Sequence, residues 1–185
     1  MGDGRRERFE ALFAASYQKV LVYALRRAPR DQAEDVVAET FTIAWRRLDV
    51  VPDDPIVWLY ATARRVLANT RRATRRRDQL LQRLSAGLPP VPLQEPDPSD
   101  RVNETVLMRQ ALERLGVNDR EVLMLIAWEG LTNAQAASVI GVSSQVFALR
   151  LHRARRRLTE QVAHLSESGE GRGEGVDELQ EGGEG

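Results

Sequence analysis

Cysteine is absent from all 185 residues, so a disulfide framework, a thiolate metal site and a cysteine nucleophile are all excluded. Histidine occurs only at His152 and His164, too few for a histidine-rich metal centre. Lysine is almost missing as well: Lys19 stands alone, and the rest of the positive charge is arginine. No apolar run approaches the roughly 20 residues that a bilayer-spanning helix needs. The opening Met1-Gly-Asp-Gly-Arg-Arg is not followed by a signal-peptide core. The expectation is a soluble, cytoplasmic chain without membrane insertion. No nucleophile–base pairing, glycine-rich phosphate loop or carboxylate constellation is present either, so neither an enzyme nor a cofactor is expected.

Net charge is the last absence, and it misleads. A total of zero argues against a nucleic-acid partner. However, the segment from Ser166 to Gly185 holds seven acids against Arg172, a balance of −6, which leaves +6 on residues 1–165.

What is present is helical periodicity. Phe9, Leu12, Phe13, Tyr17, Val20, Leu21 and Ala24 recur at three- and four-residue steps between Arg5 and Arg27, as on a helix burying one face. Pro29 ends that helix, and Asp31-x-x-Glu34 reads as a capping box for the next, whose core residues are Val36, Val37, Phe41, Ile43, Ala44, Trp45 and Leu48. Asp54 reads as an N-cap with Pro55 as first helical residue. That third helix runs past Arg77, to about Ala86 with Gly87 as C-cap.

Five of the eight prolines lie between Leu88 and Asn103. Proline removes backbone donors and stops helices, so this is a linker, able to span at most about 50 Å when extended. Beyond it, helices are expected over Asn103–Leu115, from a capping box Asn118-x-x-Glu121 to Gly130, from Thr132-x-x-Gln135 to Ile140, and from Ser143 or Ser144 onward. Period-two alternation is absent, so the fold class is all-α. Two small helical domains, 5–86 and 104–165, are joined by the proline-rich linker 87–103. The acidic tail 166–185 has too few apolar residues to offset ordering entropy and is expected to be disordered.

Three constellations point to partners. The helix from Asp31 opens with Asp31, Glu34, Asp35 and Glu39 and has no basic residue before Arg46. Acids in the first turn can simply complement the helix dipole, but Glu39 lies beyond its reach and suits an arginine on a partner protein. The next helix carries eight arginines against Asp78 between Ile56 and Arg83, a net +7. Such a run is either a solvated face or a surface for phosphates. Trp58 and Tyr60 at its start are either core residues or platforms for unpaired bases. Finally, Ala137, Gly141 and Phe147 stand where a helix-turn-helix needs a small crossing residue, a turn glycine and an inward apolar residue, with Ile140 and Val142 at the corner. In that motif the second helix enters the major groove. Arg150, Arg153 and Arg157 are expected to share a face opposite its apolar stripe and to suit phosphates. A plain helical hairpin is the bland alternative.

Three stretches, in order, resemble the bacterial extracytoplasmic-function (ECF, group IV) sigma factors, the small two-domain members of the sigma-70 family. They are Asp35-Val-Val-Ala-Glu-Thr-Phe-Thr-Ile-Ala-Trp45, Trp58-Leu-Tyr-Ala-Thr-Ala-Arg64, and Leu131…Gly141…Arg150-Leu-His-Arg-Ala-Arg155. The likeness covers about Phe9–Arg77 and Val106–Val162. It implies that Asp35, Glu39, Phe41 and Trp45 meet the coiled coil of the β′ subunit of core RNA polymerase. It also implies that the loop Leu48–Asp54 and the following helix capture the unwound minus-ten strand, with Asp53, Asp54, Trp58, Tyr60, Arg64, Arg65, Asn69, Arg71, Arg72, Arg75 and Arg76 as contacts. The second domain would hold the β flap and read the minus-thirty-five element of promoter DNA through Thr132, Gln135, Ser143, Ser144, Gln145, Ala148, Arg150, Arg153 and Arg157. An anti-sigma factor is a further partner that the resemblance allows.

The chain departs from the family pattern at Ala38, Arg65, Ala134 and Gln135. Ser143–Leu149 replaces a frequent motif that ends in a basic contact, so Ala148 lacks that charge. The implied function is transcription initiation with core polymerase. A helix-turn-helix regulator acting on duplex DNA alone is the alternative.

Overall fold

The computed structural model describes residues 3–84 and 104–170, and these form helices and turns only. Seven α-helices are present: α1 (Asp3–Leu25), α2 (Arg30–Arg46), α3 (Ile56–Leu84), α4 (Glu104–Arg114), α5 (Val117–Ala127), α6 (Asn133–Ile140) and α7 (Ser144–Glu170). One 3-10 turn, Leu48–Val50, links α2 to the loop before α3. The chain divides into two compact units. The first takes α1, α2 and α3 together with Ala134–Ser143, and the second takes α4, α5 and α7.

In the first unit α1, α2 and α3 pack on one another. Val20, Tyr23 and Ala24 of α1 meet Ala33, Val36, Val37, Phe41 and Ala44 of α2 and Leu59, Tyr60, Ala63 and Leu67 of α3 as one buried set. Leu48 and Val51 close its lower edge, both almost fully buried. Fully burying one such aliphatic side chain is worth about 1.5–3 kcal/mol. Phe9, Phe13 and Tyr17 line the remaining side of α1 and pack edgewise or tilted around Phe41, with Phe13 at 4.8 Å centroid to centroid.

The helix starts depart from the expected caps. Pro29 occupies the N-cap of α2 and offers no side-chain acceptor, and its carbonyl accepts from Ala33 N–H at 2.8 Å. Glu34 pairs with Arg30 at 3.1 Å, so no Asp31–Glu34 box forms. The Pro55 carbonyl accepts from Leu59 N–H at 2.8 Å, which moves the start of α3 one residue past the expected position. Gly116, not Asn118, is the N-cap of α5.

In the second unit α4 and α5 pack on α7. Ala111, Leu115, Val122, Leu125, Phe147, Leu151 and Ala154 are buried there. Arg120 fastens the end of α4: its guanidinium donates to the carbonyls of Leu112 at 2.8 Å, Glu113 at 2.5 Å and Leu115 at 3.1 Å. These are the orphan acceptors that any helix C-terminus leaves. Ordered structure also outlasts the expected boundary at Leu165. Leu165 is buried, Ser166 Oγ donates to the Val162 carbonyl at 3.0 Å, and α7 continues to Glu170. The rest of the expected tail, Gly87 and the linker lie outside the described residues.

Candidate protein and nucleic-acid interfaces

The acidic face of α2 follows from its phase. Residues 33, 36, 37, 40, 41 and 44 point into the first unit, which leaves Asp31, Asp35, Ala38 and Glu39 exposed. Asp31, Asp35 and Glu39 make no hydrogen bond or ion pair among the described residues. Trp45 continues this surface and is 41% exposed. Its ring stands edge-on to Phe9 at 5.1 Å, and the Arg5 guanidinium lies 5.5 Å from its centroid. Phe41 does not belong to this surface. It is 4% exposed beneath the aromatic side of α1, so its ring is core and unavailable to a partner.

Arginines of α1, which the sequence did not single out, hold the loop after α2. Arg5 Nη1 donates to both Asp49 carboxylate oxygens at 3.0 Å, and its Nη2 donates to the Trp45 carbonyl at 2.7 Å. Arg8 donates to the Val51 carbonyl at 2.9 Å and lies 3.9 Å from the Asp53 carboxylate. Asp53 and Asp54 are otherwise exposed at the loop's tip. No spacing rule links Arg5 to Asp49, 44 positions away, so only the packing of α1 on α2 could reveal the pair.

The long helix α3, roughly 43 Å at 1.5 Å per residue, has two different faces. At 100° per residue Trp58, Arg65, Asn69, Arg72 and Arg76 fall within about 60° of one another. Trp58 is half-buried and the other four are exposed. Within this stripe Arg72 Nη2 donates to the Asn69 side-chain carbonyl at 2.6 Å. Tyr60 lies on the opposite side. It is 4% exposed and stacked on Tyr23 at 4.6 Å with 16° between the rings, and Arg27 covers the Tyr23 ring at 3.6 Å. Arg71 shares that side, donating to the Arg27 carbonyl at 2.8 Å. Helical phase thus turns Tyr60 inward, and Arg71 ties the same face to α1. Arg64 is half-buried between the two faces, and the Arg75 side chain lies outside what is described.

The turn between α6 and α7 is built as expected. Gly141 adopts φ 79°, and both its N–H (2.8 Å) and that of Val142 (3.0 Å) bond to the Ala137 carbonyl. A left-handed residue with this bonding closes a helix, and glycine adopts it without the strain a side chain brings. Ala137 and Phe147 are buried. Thr132, Ser143, Ser144, Gln145 and Ala148 are exposed, and Gln135 is half-buried. Arg150 and Arg153 are exposed with no partner among the described residues. Arg157 is different. It pairs with Asp119 of α5, whose side chain is only 19% exposed. At 100° per residue Arg150 and Arg157 border the buried stripe instead of opposing it. The three arginines still fall within about 60° of one another, so they share one face, but that face flanks the buried stripe.

Two helical units with these surfaces match a known class. The sigma-70 region 4 family model matches residues 105–158. The chain is 33% identical over 143 residues to the ECF RNA polymerase sigma factor SigL of Mycobacterium tuberculosis, covering 74% of this chain and 78% of that one. It is 31% identical over 140 residues to the RNA polymerase sigma factor CnrH of Cupriavidus metallidurans, covering 71% and 73%. Among solved structures, CnrH in complex with the cytosolic domain of CnrY superposes with a TM-score of 0.57 at 27% identity, covering 84% of this chain and 88% of that chain. The sigma factor RpoE bound to the anti-sigma factor NepR from Bartonella quintana shares the fold, with a TM-score of 0.60 at 23% identity over 84% and 96%. The chain belongs to the ECF RNA polymerase sigma factors.

Proposed function

We propose that this chain binds core RNA polymerase through the acidic face of α2 and opens promoter DNA with the outward stripe of α3. The observation that carries the reading is the pairing of two surfaces in one three-helix unit. One holds Asp31, Asp35 and Glu39 without partners among the described residues, and the other carries Arg65, Arg72 and Arg76 beside Trp58. Carboxylates left unpaired suit a basic protein surface. A guanidinium stripe suits phosphates, whose neutralisation releases counterions.

In this reading the β′ coiled coil meets Asp35, Glu39 and Trp45. The loop Leu48–Asp54, held by Arg5 and Arg8, faces the melted minus-ten strand with Asp53, Asp54, Arg64 and the α3 stripe. Binding there offsets the cost of unstacking bases, about a few kcal/mol per step. The second unit holds the β flap, and α7 enters the major groove of the minus-thirty-five element with Arg150 and Arg153 on phosphates. The chain itself catalyses no step and works in the cytoplasm, where polymerase and chromosome are. An anti-sigma factor, of the kind seen with RpoE and CnrH relatives, is the expected regulator.

Run-off transcription tests this. Core polymerase with the chain should initiate at specific sites in a promoter library, and core polymerase alone should not. A chain that binds duplex DNA yet neither co-purifies with core polymerase nor supports initiation would be a plain helix-turn-helix regulator.

A further inference from the structure

The 19 residues from Leu131 to Leu149 contain no Asp, Glu, Lys, Arg or His, in a chain that is 29% charged. The charge-free run ends two turns into α7, the helix proposed to enter the major groove. On the side of α7 away from the buried Phe147–Leu151–Ala154 stripe stand Gln145 and Leu149, with Ala148 at its flank. All three are exposed, and Leu149 leaves 50% of its surface to solvent, a large apolar side chain at the centre of an outward face.

Cations border this neutral strip on both edges. At 100° per residue Arg150 and Arg153 lie along one side and Arg155 along the other. All three are exposed and lack a partner among the described residues, whereas Arg156 pairs with Glu160 at 3.3 Å and Arg157 with Asp119. Arg156 stands on the line of the strip itself, two turns past Leu149, so the neutral part is its first stretch, residues 145–149. A neutral stretch flanked by cations has the layout of a groove floor between two phosphate strands.

The chemistry of the strip limits what it can read. Guanine is normally recognised by a forked or ammonium donor on O6 and N7, and no such side chain is present before Arg150. A glutamine amide matches adenine at N6 and N7, and alanine or leucine matches the thymine methyl group. Deepening the promoter reading above, and resting on it, we propose that Gln145, Ala148 and Leu149 make α7 a reader of A·T pairs. The upstream element then carries adenine and thymine, not guanine, opposite these residues, and Leu149 is a specificity residue that reads a thymine methyl.

The test uses the full chain assembled with core polymerase. Upstream elements are selected from a random duplex library, and each thymine is then replaced singly by deoxyuracil, which lacks only the methyl. The wild type should lose about fourfold in affinity at one or two positions, one buried methyl's worth. The Leu149→Ser holoenzyme should bind thymine and deoxyuracil there alike, and Gln145→Ala should flatten a preference for adenine at a neighbouring position. A selected element with guanine at these positions, or a wild type indifferent to the methyl, would overturn the proposal and leave the sigma-factor reading intact. A chain whose mixture with core polymerase selects no element at all would remove both.

Discussion

Tyr60→Ala separates two roles for one residue. As a base platform Tyr60 would be dispensable for folding, and its loss would weaken only melted-DNA binding. As observed, its ring is 4% exposed and stacked at 4.6 Å on Tyr23, itself covered by Arg27. Removing a buried aromatic costs about 3–5 kcal/mol, a range that includes the cavity left behind. For a helical unit of this size each kcal/mol moves the midpoint by about 4–8 °C, so Tm of the first unit should fall by roughly 12–40 °C. That loss is a large part of the 5–15 kcal/mol typical of a whole domain. Tyr60→Phe keeps the stacked ring and should retain most of the stability. The assay is far-UV circular dichroism against temperature, alongside binding to a forked minus-ten duplex. If Tyr60→Ala melts like wild type while fork binding drops tenfold, the inward placement of Tyr60 is refuted. Trp58→Ala provides the contrast, because that side chain is only partly buried.

Glu39→Arg should weaken core-polymerase binding with an unchanged melting curve, since Glu39 is exposed and bonds to nothing described; equal affinity by titration would remove α2 from the docking surface. Arg72→Ala with Arg76→Ala should lower promoter affinity and flatten its salt dependence by about one contact per residue removed, and an unaltered slope would mean neither reaches a phosphate. Arg120→Ala withdraws its donors from three carbonyls, of which Leu112 keeps the Leu115 N–H, and should cost about 2–3 kcal/mol in urea unfolding of the second unit. Arg120→Lys should restore only part of that, because the three donors of an ammonium radiate from one nitrogen and cannot reproduce the separated Nε and Nη2 donors; full rescue by lysine would disprove the forked cap.

The helices were legible because their apolar residues recur with the period of one buried face, and because Gly141 and the prolines punctuate them. Helix starts were less legible. A capping box is a short pattern, and Asp31-x-x-Glu34 occurs where Pro29 already sets the start and Arg30 takes Glu34. The end of α7 was placed too early because composition was weighed by the residue. A helix already anchored at Leu165 extends without a new nucleus, and each residue fixed gains one hydrogen bond. The candidate sites were legible as segments but not as faces. Family motifs name Phe41 and Tyr60 together with Glu39 and Trp58, yet a step of two residues, about 200° of helical phase, sends the first two into the core.

The arginines show most clearly why faces needed the structure. Lysine being nearly absent, guanidinium groups serve both folding and binding, and charge patterning cannot tell the two uses apart. What sorts them is the acceptor each one meets. Arg5 and Arg8 reach loop carbonyls and carboxylates, Arg71 the carbonyl of Arg27, Arg120 a helix end and Arg157 the carboxylate of Asp119. Most of these acceptors are backbone atoms, which no charge count registers. Arg65, Arg76, Arg150 and Arg153 meet none among the described residues, and they stand on the faces of α3 and α7 turned to solvent. Substituting an arginine of the first group should therefore change stability at every salt concentration. Substituting one of the second should leave stability alone and change DNA affinity most at low salt, where the released counterions count for most.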